Sequence, residues 1–189
     1  MNLCKTFSTG LGLLAWAALL TACASPYTLQ AARYQDAAGE VNQHERLIAA
    51  PPEVVFNMVT DKDRIGDFCP PGTTVTYLSP PPYAVGHKVE TRVDHIFNLK
   101  WMSRVQAVAP LRRIQLTFLD GFFQGGTEIW EFQPQPGGTL VRHTIVVQPA
   151  GWIRRQIWRL KVRRKHDIMV EHFLDNLKQA AEMQPLDPS

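Results

Sequence analysis

With 189 residues, 45% of them apolar and 20% charged, the chain suits one domain of ordinary size and is too apolar to be disordered. Its three cysteines are too few for a disulfide-stapled scaffold or a four-cysteine zinc site, and no P-loop, Rossmann fingerprint or HExxH motif occurs. A net charge of +3 is by itself no nucleic-acid signature.

The N-terminus reads as an export signal. Lys5 supplies a short basic region, and residues 11–20 form an apolar run too short to span a bilayer comfortably. Leu20-Thr21-Ala22-Cys23 follows at once and resembles the lipobox of bacterial lipoproteins. The resemblance implies a signal peptide over residues 1–22 and acylation of Cys23. Ala24 next to it favours the outer membrane, with the domain in the periplasm. Ala22-Cys23-Ala24 also fits an ordinary secretory cleavage site, and an uncleaved anchor is a third reading. Residues 23–40, without sustained periodicity, read as a tether. Once the leader is removed and Cys23 blocked, Cys69 is the remaining thiol. Beside Pro70-Pro71 it reads as a half-buried small residue.

The domain is expected over residues 41–183, followed by a polar tail at 184–189. Residues 41–49 form a candidate strand. Pro51-Pro52-Glu53 then opens a helix, since proline suits the first turn and Glu53 complements the helix dipole. A second short helix is expected over 61–68, stopped by Cys69-Pro70-Pro71-Gly72. Strand-like runs follow at 73–79, 87–97, 100–109, 112–119, 127–133 and 139–148, separated by turn-rich segments. A long helix is expected from Trp152 to about Met183. The order predicts an α+β fold, with a curved antiparallel sheet of six to seven strands wrapped around the long C-terminal helix.

Particular residues carry a family resemblance. Val105 to Pro110, Arg113-Ile114-Gln115-Leu116, Asp120-Gly121, Gly126, Trp130-Glu131-Phe132, Gly137-Gly138-Thr139 and Leu177-Lys178 look like the SRPBCC superfamily. These are START-like, helix-grip proteins that include polyketide cyclases and dehydrases and lipid-transfer domains. The opening run Ile48 to Phe56 resembles the family's first strand and helix. The resemblance implies the helix-grip fold and a hollow for a hydrophobic small molecule. It assigns no catalytic group, because the shared positions are turns and core.

Strand alternation nominates the residues of that hollow. Thr91, Val93 and His95 share a face with Val89; Trp130 shares one with Phe132; His143 shares one with Val141, Ile145 and Val147. His95 and His143 thus point inward, either as core histidines or as groups that orient a ligand carbonyl or phenol. An enclosed, mainly apolar cavity of about 300–1,000 Å³ is expected. No metal or other cofactor is expected: the pairs His87 with Glu90, Asp94 with His95, and His166 with His172 lack a third ligand.

Basic charge is concentrated in one element. Residues 152–166 hold seven Arg and Lys and no acid; the rest of the chain from Cys23 has 12 basic against 17 acidic residues. Extending the apolar stripe of Val170, Phe173, Leu174, Leu177 and Ala181 backwards at helical spacing reaches Arg163, Arg159 and Arg155. A straight helix would set these three over the cavity end as an anion site. A break near residues 163–167 would turn Trp152, Ile153, Ile157 and Leu160 towards a membrane surface. A plain solvated face is the third possibility. The first functional reading is a membrane-tethered binding or transfer protein for a lipid, quinone or polyketide-like compound, without nucleic-acid binding. The alternatives are a cyclase or dehydratase using His95 or His143, and a non-catalytic envelope protein with a membrane-binding basic helix.

Overall fold

The computed structural model describes residues 39–94, 98–147 and 149–184. The leader, Cys23, most of the expected tether, His95 and the tail beyond Gln184 lie outside the described residues.

The chain runs β1 (Glu40–Ile48), α1 (Pro52–Thr60), a 3-10 turn (Ile65–Phe68), β2 (Thr73–Tyr77), β3 (Lys88–Val93), β4 (Leu99–Ala109), β5 (Arg113–Phe118), β6 (Thr127–Gln135) and β7 (Gly138–Val147). It closes with α2 (Gly151–Ile157), a π turn (Trp158–Val162) and α3 (Arg163–Glu182). Strands β2 to β7 form an antiparallel meander, and β1 pairs beyond β7, giving the order β1-β7-β6-β5-β4-β3-β2. A bulge between Val105 and Ala107 shifts the β4–β5 register, and such an extra residue adds bend and twist to a sheet that must curl. The β6–β7 turn uses Gly137 and Gly138. A side chain on Gly138, at φ +147°, would begin 2.0 Å from the Ile48 carbonyl oxygen, so glycine lets β7 start against the end of β1. Thr139 fastens the same corner, its hydroxyl donating to the Ala50 carbonyl at 2.7 Å.

The curled sheet holds α3 against its concave face. Val170, Phe173, Leu174, Leu177 and Ala181 are all buried, as their spacing predicts. Each large aliphatic or aromatic side chain so buried contributes about 1.5–3 kcal/mol. The helix α1, opened by Pro52 with Glu53 in its first turn, buries Val55, Phe56, Met58 and Val59.

The backward extension of the α3 stripe does not reach the arginines. The inward row continues instead through His166, Val162 and Trp158, all buried, while Arg155, Arg159 and Arg163 are exposed. The π turn is the reason for Arg155 and Arg159; Arg163, at the start of the regular helix beyond it, is outward without that change. The turn's i→i+5 bonding takes up about one extra residue per turn, which rotates everything N-terminal to it relative to a regular helix. The helix neither breaks near residues 163–167 nor carries guanidiniums over the cavity end. It changes phase at Trp158–Val162.

Candidate functional site

Strand pairing lines up four side chains on adjacent strands. His44 of β1 lies opposite His143 of β7, His143 opposite Trp130 of β6, and Trp130 opposite Ile114 of β5. His166 of α3 comes down on this row, its ring 6.0 Å from that of His143 and 6.3 Å from that of His44. Glu128, two residues before Trp130, shares its face. Its Oε1 accepts the Trp130 indole N–H at 2.8 Å and lies 3.2 Å from His143 Nε2.

These groups face a hollow between sheet and helix. Ile114, Leu116, Val170 and Phe173 supply aliphatic and aromatic wall, and Trp101, Trp130 and Phe123 close much of the space. About 80 Å³ remains in which the centre of a water molecule can move, within about 790 Å³ of atom-free space that includes the mouth. The open room thus falls short of the expected 300–1,000 Å³, because large aromatic side chains occupy the interior. The hollow is not uniformly apolar. Thr73 Oγ1, Trp101 Nε1, His143 Nδ1 and His166 Nδ1 are buried on lining residues and have no hydrogen-bond partner. Such atoms cost about 1–3 kcal/mol each when left unpaired.

Of the nominated lining, Thr91, Trp130 and His143 face the hollow. Val93 is buried beside a smaller void, and Phe132 packs edge-on against Phe56 of α1, its ring 5.4 Å away. Sequence reasoning missed Glu128 as the partner of His143, and it missed His44. It also paired His166 with His172. The structure buries His166 and exposes His172, since six residues on a helix do not share a face.

Electrostatics differ sharply across this small region. His166 has its pKa pushed well below the ordinary value, first by burial and then by the neighbouring His143 and His44, so it is neutral near pH 7. On its outer side His44 is surrounded by oxygens: Nδ1 lies 2.7 Å from Glu171 Oε1, and Nε2 lies 3.0 Å from Asn42 Oδ1 and 3.2 Å from Asp167 Oδ1. Burial pushes the Glu171 carboxyl up, but hydrogen bonding from His44 and the charge of Arg46 outweigh it and hold the group below its ordinary value.

Tyr77 and Tyr83 separate the hollow from a surface cleft of about 650 Å³ between the end of α1 and the β2–β3 loop, and both tyrosines line both spaces. Their rings meet edge-on at 5.1 Å, and the Tyr77 hydroxyl donates to the Val59 carbonyl. Burial is the first cause that raises both phenol pKa values.

The N-terminal part of the C-terminal helix is of another character. No residue of α2 is buried; Trp152 is 69% and Leu160, in the π turn, 76% exposed, with Ile153 and Ile157 also outward. Arg159 is held by Glu40 at 2.6 Å, whereas Arg155 and Arg163 have no acidic partner among the described residues. No helix among the described residues is long and apolar enough to cross a membrane.

The model of the family described as "Polyketide cyclase / dehydrase and lipid transport" matches residues 42–182. No curated protein matches the chain. Among solved structures, TTHA0849 from Thermus thermophilus is similar with a TM-score of 0.63 at 19% identity, covering 75% of this chain and 97% of that one. Protein CV1439 from Chromobacterium violaceum gives 0.58 at 17%, covering 76% and 98%. The Aha1 dimer from Colwellia psychrerythraea gives 0.58 at 16%, covering 76% and 97%. At these identities the likeness shows the fold, and it is the seven-stranded helix-grip arrangement described above. Matched over nearly all of its described residues, the chain belongs to the polyketide cyclase/dehydrase and lipid transport family of the SRPBCC superfamily, a hydrophobic-ligand-binding fold.

Proposed function

We propose that the protein binds or transfers a hydrophobic small molecule, a lipid, quinone or polyketide-like compound, while tethered to the cell envelope through acylated Cys23. The observation that carries this reading is the hollow: an aliphatic and aromatic wall interrupted by four buried polar atoms without protein partners. That lining fits an amphipathic ring system bearing a few oxygens. Trp101 Nε1 is only a donor and suits a ligand carbonyl. With His143 donating from Nε2 to Glu128, its Nδ1 keeps a lone pair and suits a ligand hydroxyl.

A second reading, a cyclase or dehydratase, is favoured by one specific feature, the Glu128–His143 pair at the wall of the hollow. A carboxylate that orients an imidazole is a usual arrangement for moving a proton at a bound substrate. Native mass spectrometry of the full chain purified from its own host, followed by extraction, tests both. A bound hydrophobic compound released unchanged supports the carrier; conversion of the added compound, lost in His143→Ala, supports the enzyme. Val75→Phe, which narrows the hollow from β2, should abolish retention in either case. Retention unaltered by Val75→Phe would place the ligand elsewhere. The same mass measurement reads the anchor: a mature chain that begins at Cys23 and carries acyl chains supports the tether, and an unmodified N-terminus refutes it.

A further inference from the structure

We propose that His44, His166 and Asp167 form a binding site for a divalent transition-metal ion of the nitrogen- and oxygen-preferring class, at the wall between the hollow and the β1 side of α3. Their ligand atoms all lie within 4.8 Å of one another. In a tetrahedral site, metal–ligand bonds of about 2.0–2.2 Å place the ligand atoms roughly 3.2–3.6 Å apart. The 3.2 Å between His44 Nε2 and Asp167 Oδ1 is already such an edge.

The surroundings of His44 support the assignment. Asn42 cannot turn its amide nitrogen to His44, because that nitrogen donates to Asp167 Oδ1 at 2.7 Å. Its Oδ1 therefore faces His44 Nε2 at 3.0 Å, beside the Asp167 oxygen. A neutral imidazole can satisfy Nδ1 by donating to Glu171, which leaves a lone pair on Nε2 against two oxygen atoms. That arrangement repels unless a second ring proton or a metal ion lies among them. A histidine that donates its other N–H to a carboxylate is also the usual second-shell support of a metal ligand, fixing the tautomer and raising its basicity. Glu171 is held in its turn by Arg46 at 2.5 Å.

His166 is the independent observation. It is 4% exposed, and its Nδ1 has no partner. Asp167 follows it on α3 and is partly exposed, so the ion has a path from solvent, while His166 carries the site to the hollow. Two imidazoles, a carboxylate and a nearby amide oxygen suit zinc, cobalt, iron or manganese rather than soft or all-oxygen ions.

The test uses the full chain in detergent, stripped with chelator. Equilibrium dialysis should load one Zn²⁺ per chain, and Co²⁺ should develop visible absorption bands that Zn²⁺ then quenches. His44→Gln and Asp167→Asn should each weaken Zn²⁺ binding by tenfold or more, and Glu171→Gln by about tenfold to a hundredfold. A readout on the unmodified protein stands apart from the variants' folding: Zn²⁺ should shift the NMR ring signals of His44 and His166 and leave those of His87 and His172 in place. Absence of saturable binding would mean that a protonated His44 alone holds the oxygens together, and overturns the site. Saturable binding that moves only His87 or His172, or that is unchanged in the variants, also overturns it.

Discussion

Oε1 of Glu128 serves two partners on two strands, accepting the Trp130 indole N–H at 2.8 Å and lying 3.2 Å from His143 Nε2. The geometry follows from the sheet. Trp130 sits opposite His143, so a side chain two residues before Trp130 on the same face is His143's diagonal neighbour. Glu128→Ala removes an acceptor from two largely buried donors and should cost about 1–3 kcal/mol for each donor left unpaired. Glu128→Gln retains an oxygen acceptor and should cost less. Chemical denaturation of the two variants checks the order. If Ala and Gln are equally mild, the donors find other acceptors.

The opposite face of the same strands holds a buried charge that should behave differently. Arg142, 7% exposed at its side chain, meets Glu45 at 3.2 Å and Glu131 at 3.5 Å. Removing Arg142 takes a buried positive partner from both acids, and breaking such a group typically costs about 3–5 kcal/mol. Arg142→Ala should therefore destabilise strongly, whereas Arg142→Met with Glu131→Leu should recover much of the loss. A thermal melt of the single and double variants tells the two apart; a single variant as stable as the parent would mean that water solvates the acids.

Some of this was legible in the chain and some was not, for identifiable reasons. Strict alternation over β7 put His143 inward, and the structure keeps it there, because a one-residue slip would have turned Val141, Ile145 and Val147 away from the main core. Glu128 could not be read the same way. A lone acid between Thr127 and Ile129 is ordinary for a strand, and its partner appears only once the β6–β7 register is known. His44 and His166 come from the two ends of the domain and meet only through the packing of α3 on β1. The arginine stripe failed for a different reason. Spacing arguments assume 3.6 residues per turn, and nothing in Trp158–Val162 announces a π turn.

Burial also makes a statement about Cys69. Desolvation pushes its thiol up to about 11 from an ordinary 9.0, with a backbone hydrogen bond at Val75 returning part of the shift. In the folded protein the iodoacetamide rate at this residue, followed by peptide mass mapping, should be slow at pH 8 and rise about tenfold per pH unit until the thiolate dominates. The sign for stability follows from linkage. Between pH 9 and 11 the unfolded chain has released a proton that the native state still holds, so stability declines across that window as pH rises. A rate that levels off near pH 9 would mean that the thiol is solvated.

The exposed start of the C-terminal helix should bind anionic membranes, with unequal roles for its arginines. Trp152, Ile153, Ile157 and Leu160 lie outward, opposite the buried Trp158 and Val162, and basic residues flank them. An amphipathic segment of this kind gains from shallow insertion of its apolar face and from charge attraction. Each basic residue near an anionic surface contributes about 1 kcal/mol at low salt, and less as salt screens it. Arg155 and Arg163 lack acidic partners among the described residues, whereas Arg159 is already held by Glu40. In a soluble form that starts after Cys23, so that neither leader nor acyl chain masks the effect, Arg155→Gln with Arg163→Gln should weaken binding to phosphatidylserine-containing vesicles by roughly thirtyfold. Arg159→Gln should change it less. Trp152 supplies a second readout. It is exposed while Trp101, Trp130 and Trp158 are buried, so vesicles should shield its fluorescence from acrylamide and leave the others unchanged. Equal vesicle binding by the parent and the double variant at low and moderate salt, with Trp152 still quenched, would make this helix a solvated basic surface.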